Sequence, residues 1–293
     1  MAKEITILSG KGGTGKTSIT AALAAVASNA VYCDCDVDAA DLHLLFDPTV
    51  KETFDFSSGR KAVIDPEQCI SCGICLEECR FGAISQPKEG LYEVDHYKCE
   101  GCRLCERICP AEAVRTVENL NNRWYVSDSR FGQLVHARMG PGEENSGKLV
   151  TTVRNKAREI ASQTKSDFIF NDGPPGIGCP VIASLTGVNS VLLIVEPSKA
   201  GIHDIERLIG LIRKFEIPAF AVINKQNLNP EISLRVEEML DRFNIPLFGK
   251  IEFDESFVKA LIMGRTIVEY APESPIAEEI RNIYKKLVNE SSS

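Results

Sequence analysis

Gly10, Lys11, Gly12, Gly13, Thr14, Gly15, Lys16 and Thr17 follow an apolar, β-branched run, Ile5-Thr6-Ile7-Leu8, and precede an alanine-rich stretch over residues 18–28. The pattern G-x-x-x-x-G-K-T between a strand and a helix is that of a phosphate-binding loop. Glycine lets the backbone turn tightly and approach the phosphates where a Cβ would collide. The loop N–H groups, through Ser18, and the positive end of the following helix then cradle the anion. Lys16 is placed to reach the β- and γ-phosphates and the Thr17 hydroxyl to coordinate Mg²⁺, so the ligand expected is Mg-ATP. A plain strand-to-helix turn would also use glycine. Here strand, full eight-residue match and helix coincide, which selects the phosphate reading.

The second chemistry belongs to cysteine. Cys69, Cys72, Cys75 and Cys79 follow the spacing C-x2-C-x2-C-x3-C, and Cys99, Cys102, Cys105 and Cys109 repeat it thirty residues on, the second run closing with Pro110. Zinc also takes C-x2-C pairs, but two matching four-cysteine runs are the spacing of 4Fe–4S proteins. In the bacterial two-cluster ferredoxin arrangement, which these runs resemble, the fourth cysteine of each run ligates the other cluster. That arrangement implies one cluster on Cys69, Cys72, Cys75 and Cys109 and a second on Cys79, Cys99, Cys102 and Cys105. The first run departs from the pattern at Arg80, where proline is usual.

Acids stand where the remaining buried runs end. Residues 30–36, Ala-Val-Tyr-Cys-Asp-Cys-Asp, read as a strand ending in acid, with Asp38 and Asp41 beyond it. Residues 167–172 read as another, passing into Asp172-Gly173-Pro174-Pro175-Gly176. A carboxylate at a strand's carboxyl end beside a phosphate loop is placed to orient water or the Mg²⁺ shell. Asp38 or Asp41 is expected instead to cap the next helical turn. Cys33 and Cys35 read as small core residues.

With Lys11, the loop becomes K-G-G-x-G-K-T, which resembles the deviant Walker A of the MinD/ParA and nitrogenase iron protein superfamily. The resemblance implies that Lys11 reaches a partner subunit's phosphates across a nucleotide-bound dimer. It assigns Asp36 to the water and Mg²⁺ shell, makes residues 172–176 a D-x-P-P-G switch in which Asp172 holds Mg²⁺ through water, and gives Asn224, after Ala219-Phe220-Ala221-Val222-Ile223, to adenine. Lys11, Lys16, Asp36 and Asp172 are thus the catalytic candidates. Cys179 lies just past the switch, where nitrogenase-type proteins hold a shared cluster, but they use two such cysteines and no second candidate stands here.

These residues need a scaffold. Strand and helix alternate, which predicts an α/β fold with a doubly wound, mostly parallel sheet and nucleotide at the strand carboxyl ends. Composition shifts near residue 60, so the expected division is 1–59 and 119–293 for the ATPase domain around an inserted α+β ferredoxin-like domain at 60–118. Short strands are expected at 91–95 and 113–117, a hairpin from residues 123–126 and 133–139, a polar loop at 140–148, an amphipathic helix at 149–164, and a core-packing helix at 275–288. With 293 residues and 44% hydrophobic content, the chain can bury a large core. A net charge of −8 argues against a nucleic-acid surface. No signal-type opening and no long apolar run point to a cytoplasmic protein without membrane insertion, whose cysteines bind metal rather than form disulfides.

The whole pattern is similar to MinD-superfamily ATPases that contain an inserted ferredoxin domain. The resemblance implies ATP hydrolysis, a nucleotide-dependent homodimer or heterodimer with a paralogue, and electron transfer or metallocluster work with a partner protein. Three functions compete: an ATP-gated electron carrier, an iron–sulfur or metallocluster assembly scaffold, and a positioning ATPase. Crossed cluster ligands make stable relays rather than transferable cargo, which favours the first.

Overall fold

The computed structural model describes residues 2–57, 59–88, 90–140 and 146–290. Thirteen strands run in chain order: β1 (Lys3–Leu8), β2 (Ala30–Asp34), β3 (Thr49–Phe56), β4 (Arg60–Ile64), β5 (Ile84–Lys88), β6 (Leu91–Val94), β7 (Val114–Glu118), β8 (Asn122–Ser129), β9 (Gly132–Arg138), β10 (Phe168–Asp172), β11 (Ser190–Val195), β12 (Ala219–Asn224) and β13 (Leu247–Ile251). The chain divides into two compact units, Met1–Thr53 with Trp124–Arg138 and Gly147–Ser293, and Phe54–Arg123 with Met139–Ser146.

Nine strands form one sheet in the order β13-β12-β11-β1-β10-β2-β9-β8-β3. All pairings from β13 across to β9 are parallel. Strand alternation sends side chains to two separate cores. Ile5 and Ile7 join Leu192, Ile194, Phe220 and Val222 against the helices Lys16–Ala24 and Pro275–Glu290. Leu8, Val191, Leu193, Ala221 and Ile223 face the other way, among residues of the helices Cys179–Leu185, Lys199–Lys214 and Pro230–Arg242. A parallel sheet covered on both faces is the doubly wound architecture expected from the alternation. The C-terminal helix packs as expected, with Ile280, Ile283 and Leu287 buried.

Several boundaries differ from expectation. β2 stops at Asp34, leaving Asp36 two residues past the strand. The amphipathic helix begins at Ser146 rather than 149, and residues 141–145 of the expected polar loop lie outside the described residues. β3 was not expected at all. Its side chains are almost all exposed, and its charges pair with neighbours: Lys51 with Asp128 at 3.0 Å and Asp55 with Arg123 at 3.4 Å. A polar, charge-paired strand is what an unprotected sheet edge requires, and such a strand lacks the apolar alternation by which strands are read.

The unit of residues 54–123 is a duplicated backbone. Its small sheets are the antiparallel pairs β4–β7 and β5–β6. Asp65 N donates to Ala113 O at 2.8 Å, and thirty residues on Asp95 N donates to Ala83 O at 2.7 Å. The Asp65 carboxylate accepts from Glu67 N, and that of Asp95 from Tyr97 N, each at 2.9 Å. Left-handed residues recur at the same offset: Ser71 and Gly101 (φ 57° and 61°), Gly73 and Arg103 (80° and 66°), Gly82 and Glu112 (58° and 51°). Among the described residues, one buried cluster of this unit comprises Ala62, Ala83, Cys99 and Val114.

Candidate functional site

The glycine loop occupies the turn between β1 and the helix Lys16–Ala24, and its local geometry explains its composition. Gly13 and Gly15 have φ of 78° and 87°, conformations costly for any residue with a Cβ. A Cβ on Gly10 would lie 2.8 Å from the Asp204 backbone, and one on Gly15 would collide with the Asn224 amide. Gly15 is the N-cap of the helix and no side chain caps it, so the first N–H groups of that helix remain available to an anion. Ser18 lies in that first turn, between Thr17 and the buried Ile19.

Five side chains converge at the loop. Lys16 Nζ is 2.9 Å from Asp172 Oδ2 and 3.9 Å from Asp36 Oδ2. The hydroxyls of Thr17 and Thr20 each donate to Asp172 at 2.7 Å, one to each carboxylate oxygen. Lys16 and Asp172 are almost wholly buried. Burial acts to lower the Lys16 pKa, but the fields of Asp172, Asp36 and Asp34 outweigh it and hold the ammonium above its ordinary value. Burial, reinforced by Asp172, pushes the Asp34 carboxyl up, and burial raises Asp36 to about 6 against the pull of Lys16. Three acids crowd one ammonium, and a divalent cation bound beside them would favour their charged forms.

Asp34 corrects the expected cap. Its carboxylate accepts from Asp36 N and Leu42 N, each at 3.1 Å, so it shapes the segment between β2 and the helix Leu42–Phe46. Asp41 occupies the N-cap position of that helix without a side-chain bond, and neither it nor Asp38 makes the expected cap. Asn224 and Lys225 brace the loop from the end of β12: Asn224 Nδ2 donates to Thr14 O at 2.7 Å and Lys225 Nζ to Gly13 O at 2.8 Å. Lys11 pairs with Glu196 at 3.2 Å. The switch segment is tied in by Gly173 N to Ile7 O at 2.9 Å and Gly176 N to Ser9 O at 3.2 Å. Sequence reasoning missed Asp34, Thr20, Glu196 and Lys225. Thr20 had a signal, since it follows Thr17 by three residues and so shares its helix face. Cys33 and Cys35 are fully buried, their sulfurs 3.6 Å apart, while Cys179 is exposed at the start of its helix.

Each of the eight paired-run thiols lines one of two four-thiol cavities, and Cys75, Cys79, Cys102 and Cys105 also line a third. Cys69, Cys72, Cys75 and Cys109 all edge one, together with Ile64, Tyr92 and Val114. Cys79, Cys99, Cys102 and Cys105 all edge the other, with Ala62, Ala83 and Val94. Each cavity thus takes three thiols from one run and the fourth from the other. Backbone amides point at both sets: Ala113 N to Cys109 Sγ at 3.3 Å and Ala62 N to Cys99 Sγ at 3.4 Å. Among the described residues, no three or more His, Cys, Asp or Glu side chains are grouped as a single metal ion would need. Four thiols lining one cavity are a donor set that could hold a 4Fe–4S cluster.

A parallel sheet wound on both faces, with a glycine loop at the carboxyl end of a central strand feeding an uncapped helix, defines a P-loop protein. Residues 5–267 match the CobQ/CobB/MinD/ParA nucleotide binding domain, and the chain belongs to that family. An uncharacterized protein of Methanocaldococcus jannaschii is 34% identical over 289 residues, covering 97% of this chain and 96% of its own. An iron-sulfur cluster carrier protein of Pyrococcus furiosus is 23% identical over 155 residues, 49% of this chain and 52% of that protein. Among solved structures, the septum site-determining protein MinD of Pyrococcus horikoshii, complexed with Mg-ADP, aligns with a TM-score of 0.60 at 17% identity, over 98% of this chain and 96% of that one. This last likeness is one of fold.

Proposed function

We propose that this chain is an ATP-binding and ATP-hydrolysing iron–sulfur protein whose nucleotide state governs electron transfer with a partner protein. The observation that carries the proposal is the sorting of eight thiols into two four-thiol cavities within a P-loop chain. Lys16 would neutralise the β- and γ-phosphates once the anion draws it from Asp172. Thr17 would bind Mg²⁺ directly, and Asp36 and Asp172 would hold its water shell. The raised pKa of Asp36 and the buried charge of Asp172 fit a site completed by a dication. Asn224, now on Thr14 O, is the candidate for adenine, and Lys11 for a partner subunit's phosphates in a homodimer or a heterodimer with a paralogue.

Cys69, Cys72, Cys75 and Cys109 would hold one 4Fe–4S cluster and Cys79, Cys99, Cys102 and Cys105 the other. Bound there, such clusters supply one-electron transfer. The packing of Cys79, Cys99, Cys105 and Cys109 in or against the buried cluster of Ala62, Ala83 and Val114 supports the reading, because metal ligation there would couple to folding. Anaerobic reconstitution followed by iron and sulfide analysis tests it, with about eight of each expected per chain. Stoichiometric zinc without visible absorption would reject it.

The likeness to an iron-sulfur cluster carrier protein supports a second reading, assembly of clusters for other proteins. Transfer to an apo-acceptor distinguishes the two, since clusters with ligands from both runs should be retained. A positioning ATPase is a third reading. No helix among the described residues is long and apolar enough to cross a membrane.

A further inference from the structure

Every lysine at the phosphate loop is paired with a carboxylate. Lys16 is held by Asp172, while Lys11 and Lys225 share Glu196, which is just past the carboxyl end of β11. Lys11 Nζ lies 3.2 Å from one Glu196 oxygen and Lys225 Nζ 3.6 Å from the other. Lys225 also bonds Gly13 O, so this carboxylate is linked to the loop from two directions. The backbone of Glu196 is itself pinned. Its carbonyl accepts from Ser198 N at 2.9 Å, and Gly201 packs so close that a Cβ there would lie 2.6 Å from that oxygen.

An anion fixed on the rim of an anion site opposes the ligand that the site is built to take. Its pairs are partly exposed, at 32% for Lys11, 24% for Lys225 and 19% for Glu196, so water and an incoming polyphosphate both have access to them. We infer that Glu196 is a positioning residue that sets the affinity for polyphosphate by holding Lys11 and Lys225 until the phosphates of nucleotide in this loop, or in a partner subunit's loop facing it, displace it. The inference rests on the proposed binding of Mg-ATP at this loop.

Calorimetry on the full chain with Mg-ATP tests it. Glu196→Gln keeps the size and one acceptor oxygen but removes the competing charge, so Mg-ATP should bind about tenfold more tightly. The tighter binding should weaken more steeply with added salt than that of the unaltered chain, because uncompensated lysines then meet the phosphates. In a Lys11→Gln background, the gain from Glu196→Gln should shrink to less than half of its logarithm. If Glu196 only braces the loop, Glu196→Gln binds equally or more weakly, and the inference falls. A gain that persists undiminished without Lys11 also overturns it. An unaltered chain that binds no Mg-ATP would instead overturn the nucleotide reading itself.

Discussion

Lys16 is buried against carboxylates, so Lys16→Ala should have two effects. Mg-ATP affinity should fall at least about tenfold by calorimetry. Without nucleotide, the Tm should also fall, because Asp172 and its neighbours lose their counter-charge, and added Mg²⁺ should restore part of it. His136 offers a pH test outside the loop. Its ring stacks on Tyr125 and bonds Ser127 at 3.0 Å, and burial, with a contribution from His43, lowers its pKa to about 4. An unfolded histidine takes its proton near pH 6.5, so in the window from 6.5 to 4 the unfolded chain binds the extra proton. Stability contributed by neutral His136 is present above that window and lost as pH falls through it, by at most about 3 kcal/mol. Denaturant midpoints of His136→Phe should show a shallower acid limb than those of the unaltered chain. At this scale, Lys16, Thr17 and the eight cysteines were legible because their chemistry demands fixed spacings. Asp34 and Glu196 were not, since the partners of each are fixed only by folding: Leu42 N for one, Lys11 and Lys225 for the other.

The long-range thiol in each cavity gives the element-scale test. Cys109 closes the cavity of Cys69, Cys72 and Cys75 although it is much nearer in sequence to Cys105. Cys109→Ser should therefore perturb that cluster and spare its neighbour, seen as loss or conversion of about half of the 4Fe–4S signal in the reduced-state EPR spectrum. Equal damage to both would contradict the assignment. Buried elements were well read from sequence: β10 is apolar through Phe170, and β11 and β12 are apolar over nearly their whole length. β3 escaped because Thr49, Lys51, Glu52 and Asp55 face water, and only its place beside β8 makes it a strand. Edge strands are specified by their neighbours more than by their own side chains.

For the molecule as a whole, the chain leaves the nine-stranded sheet after β3 and re-enters it at β8, and β9 lies between that pair and β2 in the strand order. Cluster potentials should then be the same with ADP and with a non-hydrolysable ATP analogue, by potentiometry. Nucleotide should act through partner affinity, with a difference of about 5- to 150-fold. Potentials that move with nucleotide would show a more direct path. The paired left-handed positions of the cysteine-bearing unit mark its two halves. Glycine stands at Gly101, Gly73 and Gly82, and Ser71, Arg103 and Glu112 occupy the matching places. A half with glycine at all three places would be the least strained there. Because each cavity borrows its fourth thiol from the other half, a solitary half could not have closed one. A single half bearing the same run would reach four thiols at one cavity only by pairing with a second copy.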